Sequence, residues 1–248
     1  ILMAAVLAEG KTFINNAAVE PHIVQLCDVL VDMGANIRGI GTHRLEIEGV
    51  SSLRPVEVKV IPDMIEAGTF LMAGATLGDI TLTDVDPSHL NIVLEKLYHA
   101  GCDLTIDDST ITIKQNDCIR STDITTDVHP GFPTDLQAQW IALMSVADGT
   151  SVVTETIYLD RFSHVPELVR LGANISLENN IAIIRGQKSL TGAQVMSTDI
   201  RASASLVIAA LIADGRSDIS RIYHIDRGYE QIEEKFKLLG ADIFREKE

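Results

Sequence analysis

The chain repeats one pattern four times. A short apolar stretch ends in glycine in "LAEG", "ATLG", "VADG" and "IADG", at Gly10, Gly78, Gly149 and Gly215, with spacings of 68, 71 and 66 residues. A second glycine recurs in "MGANI", "AGCDL", "LGANI" and "LGADI", at Gly34, Gly101, Gly172 and Gly240, with spacings of 67, 71 and 68. Two independent markers that keep one period indicate a supersecondary unit stacked on its neighbours, because a unit this small does not bury its apolar face alone. After the first glycine comes a β-branched run such as "TFINNA", "DITLTDV" or "SVVTETI", and then an amphipathic helix such as "PSHLNIVLEKLYHA" or "GYEQIEEKFKLL". The second glycine fits a left-handed helix C-cap. Three units continue into a hairpin, "ISLENNIAIIRG" for example, and a connecting strand, whereas the fourth stops at "ADIFREKE". Each unit is therefore expected to hold two helices and about four strands.

The first helix of each unit, as in "SASLVIAALIA" and "WIALMSVA", is apolar nearly all round, which predicts helices inside and sheets outside. The composition agrees. It is 46% hydrophobic but only 4% aromatic, so a core of Leu, Ile, Val, Ala and Met is expected, as in layered α/β proteins. At 248 residues the chain is long enough to bury roughly 70% of its unfolded surface. The expected fold class is α/β, built from α+β repeats. The turn at Pro62-Asp63 marks the expected boundary, with residues 1–61 as the last repeat of a split first domain and 62–248 as three repeats of a second. "ILMAAVLAEG" reads as the middle of an apolar helix, with no N-cap and no Met at position 1, so the chain is expected to be a piece of a longer protein.

A net charge of −15 argues against a sequence-independent grip on nucleic acid or on anionic lipid. Cys27, Cys102 and Cys118 are far apart and form no C-x-x-C pair, so neither a disulfide framework nor a zinc knuckle is expected, and a reducing, cytoplasmic setting is the default. No apolar run approaches the ~18 residues of a membrane span. The seven histidines show no metal spacing, and "RGIGTH" lacks the third glycine and the strand-to-helix context of a dinucleotide loop, so no metal and no cofactor are expected.

In "HPGFPTDLQAQW" two prolines and a glycine precede an aspartate and then a run of helix formers. "TDLQ" fits a capping box, with Thr134 as N-cap and Gln137 reaching back, which would place Asp135 at the first helical position. Asp199 follows Thr198 at the matching junction "STDIRASA", and in "IPDMIEAG" Asp63 and Glu66 fit the same box. Asp135 is thus a helix-start residue or a carboxylate aimed by Pro130 and Pro133, and local pattern leaves both readings open. Arg201, Arg216, Arg221, Arg227 and Arg245 crowd the last quarter of this acidic chain. Arg201, in a first helical turn, and Arg227, just before "GYEQIEEKF", would add charge to N-terminal backbone donors and so form an anion pocket. Cys102 fills the slot of Ala35, Ala173 and Ala241, and Cys27 lies on an apolar helix face, so both read as core; Cys118 is a weak nucleophile candidate.

The strings "HPGFPTDLQAQW", "VTETIYLDRFSHVPELVRLGANI", "LTGAQVMSTDIRASASLVIAALIADG" and "RIYHIDRGYEQIEEKFKLLGADI" closely resemble the enolpyruvyl transferase family, in particular its members that act on UDP-N-acetylglucosamine at the start of peptidoglycan synthesis. The resemblance runs essentially end to end. It implies an inside-out α/β barrel pair of six such repeats, with phosphoenolpyruvate and UDP-N-acetylglucosamine as substrates and release of phosphate. It also implies that Asp135 meets the 3-hydroxyl of the sugar as proton acceptor, that Ile157 contacts the nucleotide sugar, and that Arg201 and Arg227 serve the phosphoenolpyruvate anion with Asp199 beside them. Glu20, Asp63 and Arg161 are implied to line the site or the interdomain region. Two positions depart from the family pattern, Met64 in "PDMIE" and Val19 before Glu20, where arginines are usual. The family's catalytic-loop cysteine would lie upstream of Ile1, so the chain is expected to be inactive without the missing N-terminal half. A shikimate-pathway enolpyruvyl transferase and a non-catalytic, clamp-like repeat scaffold are the rival readings. The clamp would carry basic residues on several repeats, whereas eight of the 20 here follow position 200.

Overall fold

The structure is a computed structural model that describes residues 1–115 and 118–246. It comprises two compact units, one of residues 1–62 with 128–130 and the other of residues 63–127 with 131–246.

In the first unit the order is α1 (Leu2–Ala5), β1 (Lys11–Asn15), α2 (Pro21–Asp32), β2 (Asn36–Arg38) and β3 (Arg44–Glu48). The three strands form an antiparallel sheet in the order β1-β3-β2. Alternation along β3 turns Leu45 and Ile47 inward, where they join Cys27 and Leu30 of α2 and Ile37 of β2 in a small apolar core. Pro21 opens α2, where its missing N–H has no helical partner to lose.

The second unit runs α3 (Met64–Leu77), β4 (Ile80–Thr83), α4 (Asn91–His99), β5 (Asp103–Asp107), β6 (Thr110–Lys114) and β7 (Ile124–Thr125). It continues with α5 (Gln137–Met144), β8 (Thr150–Thr154), α6 (Val165–Arg170), β9 (Asn174–Glu178), β10 (Ile181–Arg185) and β11 (Gln194–Met196), then α7 (Ile200–Ile212), β12 (Asp218–Ser220) and α8 (Ile232–Leu238). Helices α3, α5 and α7 pack on one another. Every residue of α5 is buried, as is the stretch Ala202–Ala209 of α7, so the helices read as apolar all round do form the interior. The strands lie in sheets ordered β4-β6-β5, β7-β8-β10-β9 and β11-β12.

Connecting strands interlock the repeats. β7, from the end of one repeat, pairs in parallel with β8 of the next, with Ile124 opposite Val153, and β11 pairs in parallel with β12. The backbone of each connection thus finds its partners in the following sheet. The expected barrel is not closed among the described residues, because the sheets remain separate and the one holding β12 has two strands. The second glycine marker behaves as its pattern predicts. Gly172 has φ 95°, and the N–H of Ala173 turns back to the Leu168 carbonyl to close α6. Cys102, Ala35 and Ala173 are buried in the equivalent slot, with Ala241 half-buried.

Candidate functional site

The turn that carries Asp135 is fixed by apolar anchors on both sides. Phe132 is buried with its ring edge-on to Trp140, 5.6 Å between centroids at 69°, and Leu136 is also fully buried. Pro133, at φ −69°, leads into a 3-10 turn at Thr134–Leu136, after which α5 begins at Gln137. Leu136 packs against Gly68 of α3, where an added Cβ would come within 2.4 Å of the Leu136 Cδ1.

The capping box expected at "TDLQ" does not form. The Thr134 hydroxyl points away from the backbone and donates to Glu155 Oε2 at 2.8 Å, while both amide atoms of the buried Gln137 have no hydrogen-bond partner among the described residues. The reason is the 3-10 turn, which displaces the start of α5 past Asp135 and leaves Leu136 in the cap position without a side-chain cap. Asp135 is therefore not a helix-start residue in the sense the pattern implied.

Two guanidiniums clamp it instead. Arg161 Nη2 lies 2.8 Å from Asp135 Oδ1, and Arg201 Nη2 lies 3.1 Å from Oδ2. The side chains of Arg161 and Arg201 are 20% and 17% exposed and that of Asp135 38%, so the cluster is sheltered yet open to a ligand. Burial alone would raise the Asp135 carboxyl. The charges and hydrogen bonds of Arg201 and Arg161 outweigh it and hold the group below the usual carboxylate range.

Arg201 sits in the first turn of α7, as predicted, because Asp199 caps that helix by accepting from the N–H groups of Arg201 at 2.8 Å and Ala202 at 2.9 Å. Its other carboxylate oxygen accepts from Ser163 at 3.0 Å. Burial raises the Asp199 carboxyl, and these hydrogen bonds with the nearby Arg161 charge bring it below its ordinary value. Arg201 also meets the buried Tyr229 hydroxyl, which is held in turn by Thr69 of α3 at 2.9 Å and Gln139 of α5 at 3.3 Å.

Glu155 was not singled out by the sequence reading. It is fully buried just beyond β8 and makes no ion pair among the described residues. Oε1 accepts from the Thr126 hydroxyl at 2.7 Å and from the N–H groups of Ile157 at 2.8 Å and Tyr158 at 3.0 Å, while Oε2 accepts from Thr134. The signal was present in the alternation of "SVVTE". Ser151, Val153 and Glu155 fall on one face of the strand, and the first two are buried. Ile157, bent out by this cap, is 45% exposed.

The remaining predicted residues divide. Asp63 caps α3 by accepting from Ile65 and Glu66 N–H groups, while Glu66, expected to complete a box, pairs with Lys235. Glu20 precedes α2 in the first unit, with Oε2 buried and unpartnered among the described residues. Arg227 corrects an expectation. It ends the 3-10 segment Ile222–Arg227, and α8 starts only at Ile232, so it does not stand on a helix N-terminus. It is exposed and makes no hydrogen bond or ion pair with the described residues, so the structure does not pair it with Arg201 in a formed anion pocket. Burial pushes the Cys102 thiol up to about 11 and raises that of Cys27, which makes both inert, whereas Cys118 is exposed. Among the described residues no group of His, Cys, Asp and Glu is arranged to hold a metal ion, and no helix is long and apolar enough to cross a membrane.

A carboxylate held by two cations, beside a capped helix and an exposed loop, can orient a hydroxyl and attract an anion in one place. Residues 1–236 match the model of the EPSP synthase (3-phosphoshikimate 1-carboxyvinyltransferase) family. The chain belongs to this family of enolpyruvyl transferases. Curated relatives named UDP-N-acetylglucosamine 1-carboxyvinyltransferase include one from Pelodictyon phaeoclathratiforme, 55% identical over 99% of this chain and 58% of its own length. Another, from Myxococcus xanthus, is 53% identical over 100% of this chain and 59% of its own length. The chain thus spans somewhat over half the length of these relatives. Among solved structures, the enolpyruvyl transferase NikO from Streptomyces tendae superposes with a TM-score of 0.89 at 28% identity, over 97% of this chain and 58% of that one. EPSP synthase from Acinetobacter baumannii superposes at 0.77 and 22% identity, over 100% of this chain and 60% of that one, a likeness of fold alone.

Proposed function

We propose that the whole protein to which this chain belongs transfers the enolpyruvyl group of phosphoenolpyruvate to the 3-hydroxyl of UDP-N-acetylglucosamine and releases phosphate, in the first committed step of peptidoglycan synthesis. The observation that carries this reading is the Asp135 clamp, in a chain more than half identical to relatives bearing that name. In the proposed reaction the sugar oxygen bonds to C2 of phosphoenolpyruvate, its proton leaves to a base, and the C3 methylene takes a proton from an acid. Loss of a C3 proton and of phosphate from C2 then restores the C2–C3 double bond in the enolpyruvyl group now joined to the sugar oxygen.

Asp135 serves as the base. Its lowered pKa makes it a weak one at rest, so it orients the hydroxyl first and takes the proton as the C–O bond forms. Arg201 and Arg227 meet the carboxylate and phosphate charges, Asp199 seats Arg201, Ile157 borders the sugar, and Arg161 holds Asp135. Glu20 and Asp63 are further site-lining residues of the complete enzyme in this reading. The second unit forms three repeats of an inside-out barrel that further chain would complete. The general acid comes from the part of the enzyme that this chain does not span, so the 248 residues alone are inactive.

The test is phosphate release by the full-length protein from phosphoenolpyruvate in the presence of UDP-N-acetylglucosamine or of shikimate 3-phosphate. Turnover with the UDP-sugar alone supports the reading. Turnover with the shikimate acceptor alone moves the protein to the other branch of the family, and phosphate release by the isolated 248-residue chain removes the requirement for the missing half.

A further inference from the structure

We infer that Glu155 is a positioning residue for the proposed transfer, setting both the direction of the Asp135 carboxylate and the shape of the loop that carries Ile157.

The argument begins with what each group can donate. A guanidinium has no acceptor, so the 3.0 Å contact between Arg161 Nη1 and the Thr134 oxygen is donated by Arg161. The Thr134 hydroxyl has one proton, and a carboxylate only accepts, so that proton goes to Glu155 Oε2 at 2.8 Å. The direction is therefore fixed from Arg161 through Thr134 to Glu155. The same guanidinium reaches Asp135 Oδ1 with its other arm at 2.8 Å. Because the guanidinium is planar and rigid, anchoring Nη1 orients Nη2. Glu155 thus fixes the Thr134 hydroxyl as an acceptor, Thr134 fixes Arg161, and Arg161 fixes one oxygen of Asp135.

The other oxygen of Glu155 acts on the loop. Oε1 gathers the N–H groups of Ile157 and Tyr158 with the Thr126 hydroxyl, while Thr126 Oγ1 accepts from the Thr156 N–H at 2.9 Å. The Glu155 backbone is held as well, by exchange with Asn180, whose carbonyl accepts from Glu155 N–H at 2.8 Å and whose side chain donates to the Glu155 carbonyl at 2.8 Å. Among the described residues four donors and no acceptor surround this fully buried side chain, the complement that a carboxylate and not an amide satisfies. A fold needing only a plug here would be served by an apolar residue, without the cost of burying a carboxylate.

The proposal rests on the reading of Asp135 as the group that meets the acceptor hydroxyl. Its test uses the full-length protein, phosphoenolpyruvate and UDP-N-acetylglucosamine, with Asp135→Asn, Glu155→Gln, Thr134→Val and the last two combined. Glu155→Gln turns an amide N–H toward the Thr134 hydroxyl and leaves its proton without an acceptor. Thr134→Val cuts the relay while sparing the other three bonds of Glu155, so it reports on the relay even if Glu155→Gln does not fold. We expect Glu155→Gln and Thr134→Val each to lower kcat about tenfold to a hundredfold, as a misplacement of order 1 Å does. The acid limb of the kcat profile should move to higher pH as Asp135 loses the hold of Arg161, and the double variant should be no worse than its more severe parent. A Thr134→Val protein with the wild-type kcat and pH profile overturns the inference, as does a Glu155→Gln protein that loses thermal stability but keeps both. If Asp135→Asn itself turns over at the wild-type rate, the failure belongs to the function reading instead.

Discussion

Arg201 Nη2 stands 3.1 Å from Asp135 Oδ2, a pair that spans 66 residues of sequence and joins the first turn of α7 to the turn before α5. In the proposed reaction Arg201 also answers to the phosphoenolpyruvate anion. An anion that engages Arg201 competes with Asp135 for it, and an Asp135 released from a cation becomes a better base. Arg201→Lys keeps the charge but loses the planar fork. It should lower kcat/KM for phosphoenolpyruvate by roughly tenfold to a hundredfold, a change in steady-state kinetics; an unchanged kcat/KM would detach Arg201 from the site.

His164 lies 2% exposed at the start of α6, with Nε2 unpartnered among the described residues. Burial pushes its pKa down to about 4, against a smaller upward pull from Asp199. The unfolded chain, with an ordinary value near 6.5, binds the proton that the folded chain refuses. Stability from this residue is therefore fully present above pH 6.5 and is lost as pH falls from 6.5 toward 4, by ~3 kcal/mol over the whole window. Asp135 and Asp199, with lowered values, add losses only below their ordinary range. In urea denaturation at pH 7 and pH 5, His164→Gln should reduce the difference between the two pH values. An equal difference in both proteins would show that His164 does not set it.

Gly68 leaves α3 bare where Leu136 packs, one residue from Asp135. Leu136 is fully buried, and an added Cβ on Gly68 would come within 2.4 Å of its Cδ1. Gly68→Ala should therefore cost about 1–3 kcal/mol of stability through overpacking and lower kcat as the Asp135 turn shifts. Calorimetry and kinetics on the same sample check this; a gain in stability, as helix propensity alone predicts for Gly→Ala, would mean that Leu136 yields freely.

The buried helices α5 and α7 and the glycine at Gly172 were legible in the sequence, because apolarity on every face and a left-handed cap each follow from local chemistry. The start of α5 was not. Thr134 and Gln137 have the residue types of a capping box, but the Thr134 hydroxyl finds Glu155, which lies 21 positions away in sequence. The same holds for the helix expected directly after Arg227, which starts at Ile232 beyond a left-handed Gln231. Asp135, Arg161 and Arg201 were each named, yet their mutual clamp is a tertiary fact that no spacing encodes. Glu155 was readable from alternation along β8, which turns it inward behind Ser151 and Val153.

The central claim is that Asp135 meets the acceptor hydroxyl and takes its proton. The measurement that tests it most directly pairs phosphate release by full-length wild-type and Asp135→Asn proteins with calorimetric binding of UDP-N-acetylglucosamine to each. We predict that Asp135→Asn lowers kcat at least a hundredfold, within the range removed with a general base, while UDP-sugar affinity changes by less than about tenfold. Equal kcat in the two proteins, with binding intact, would contradict the account.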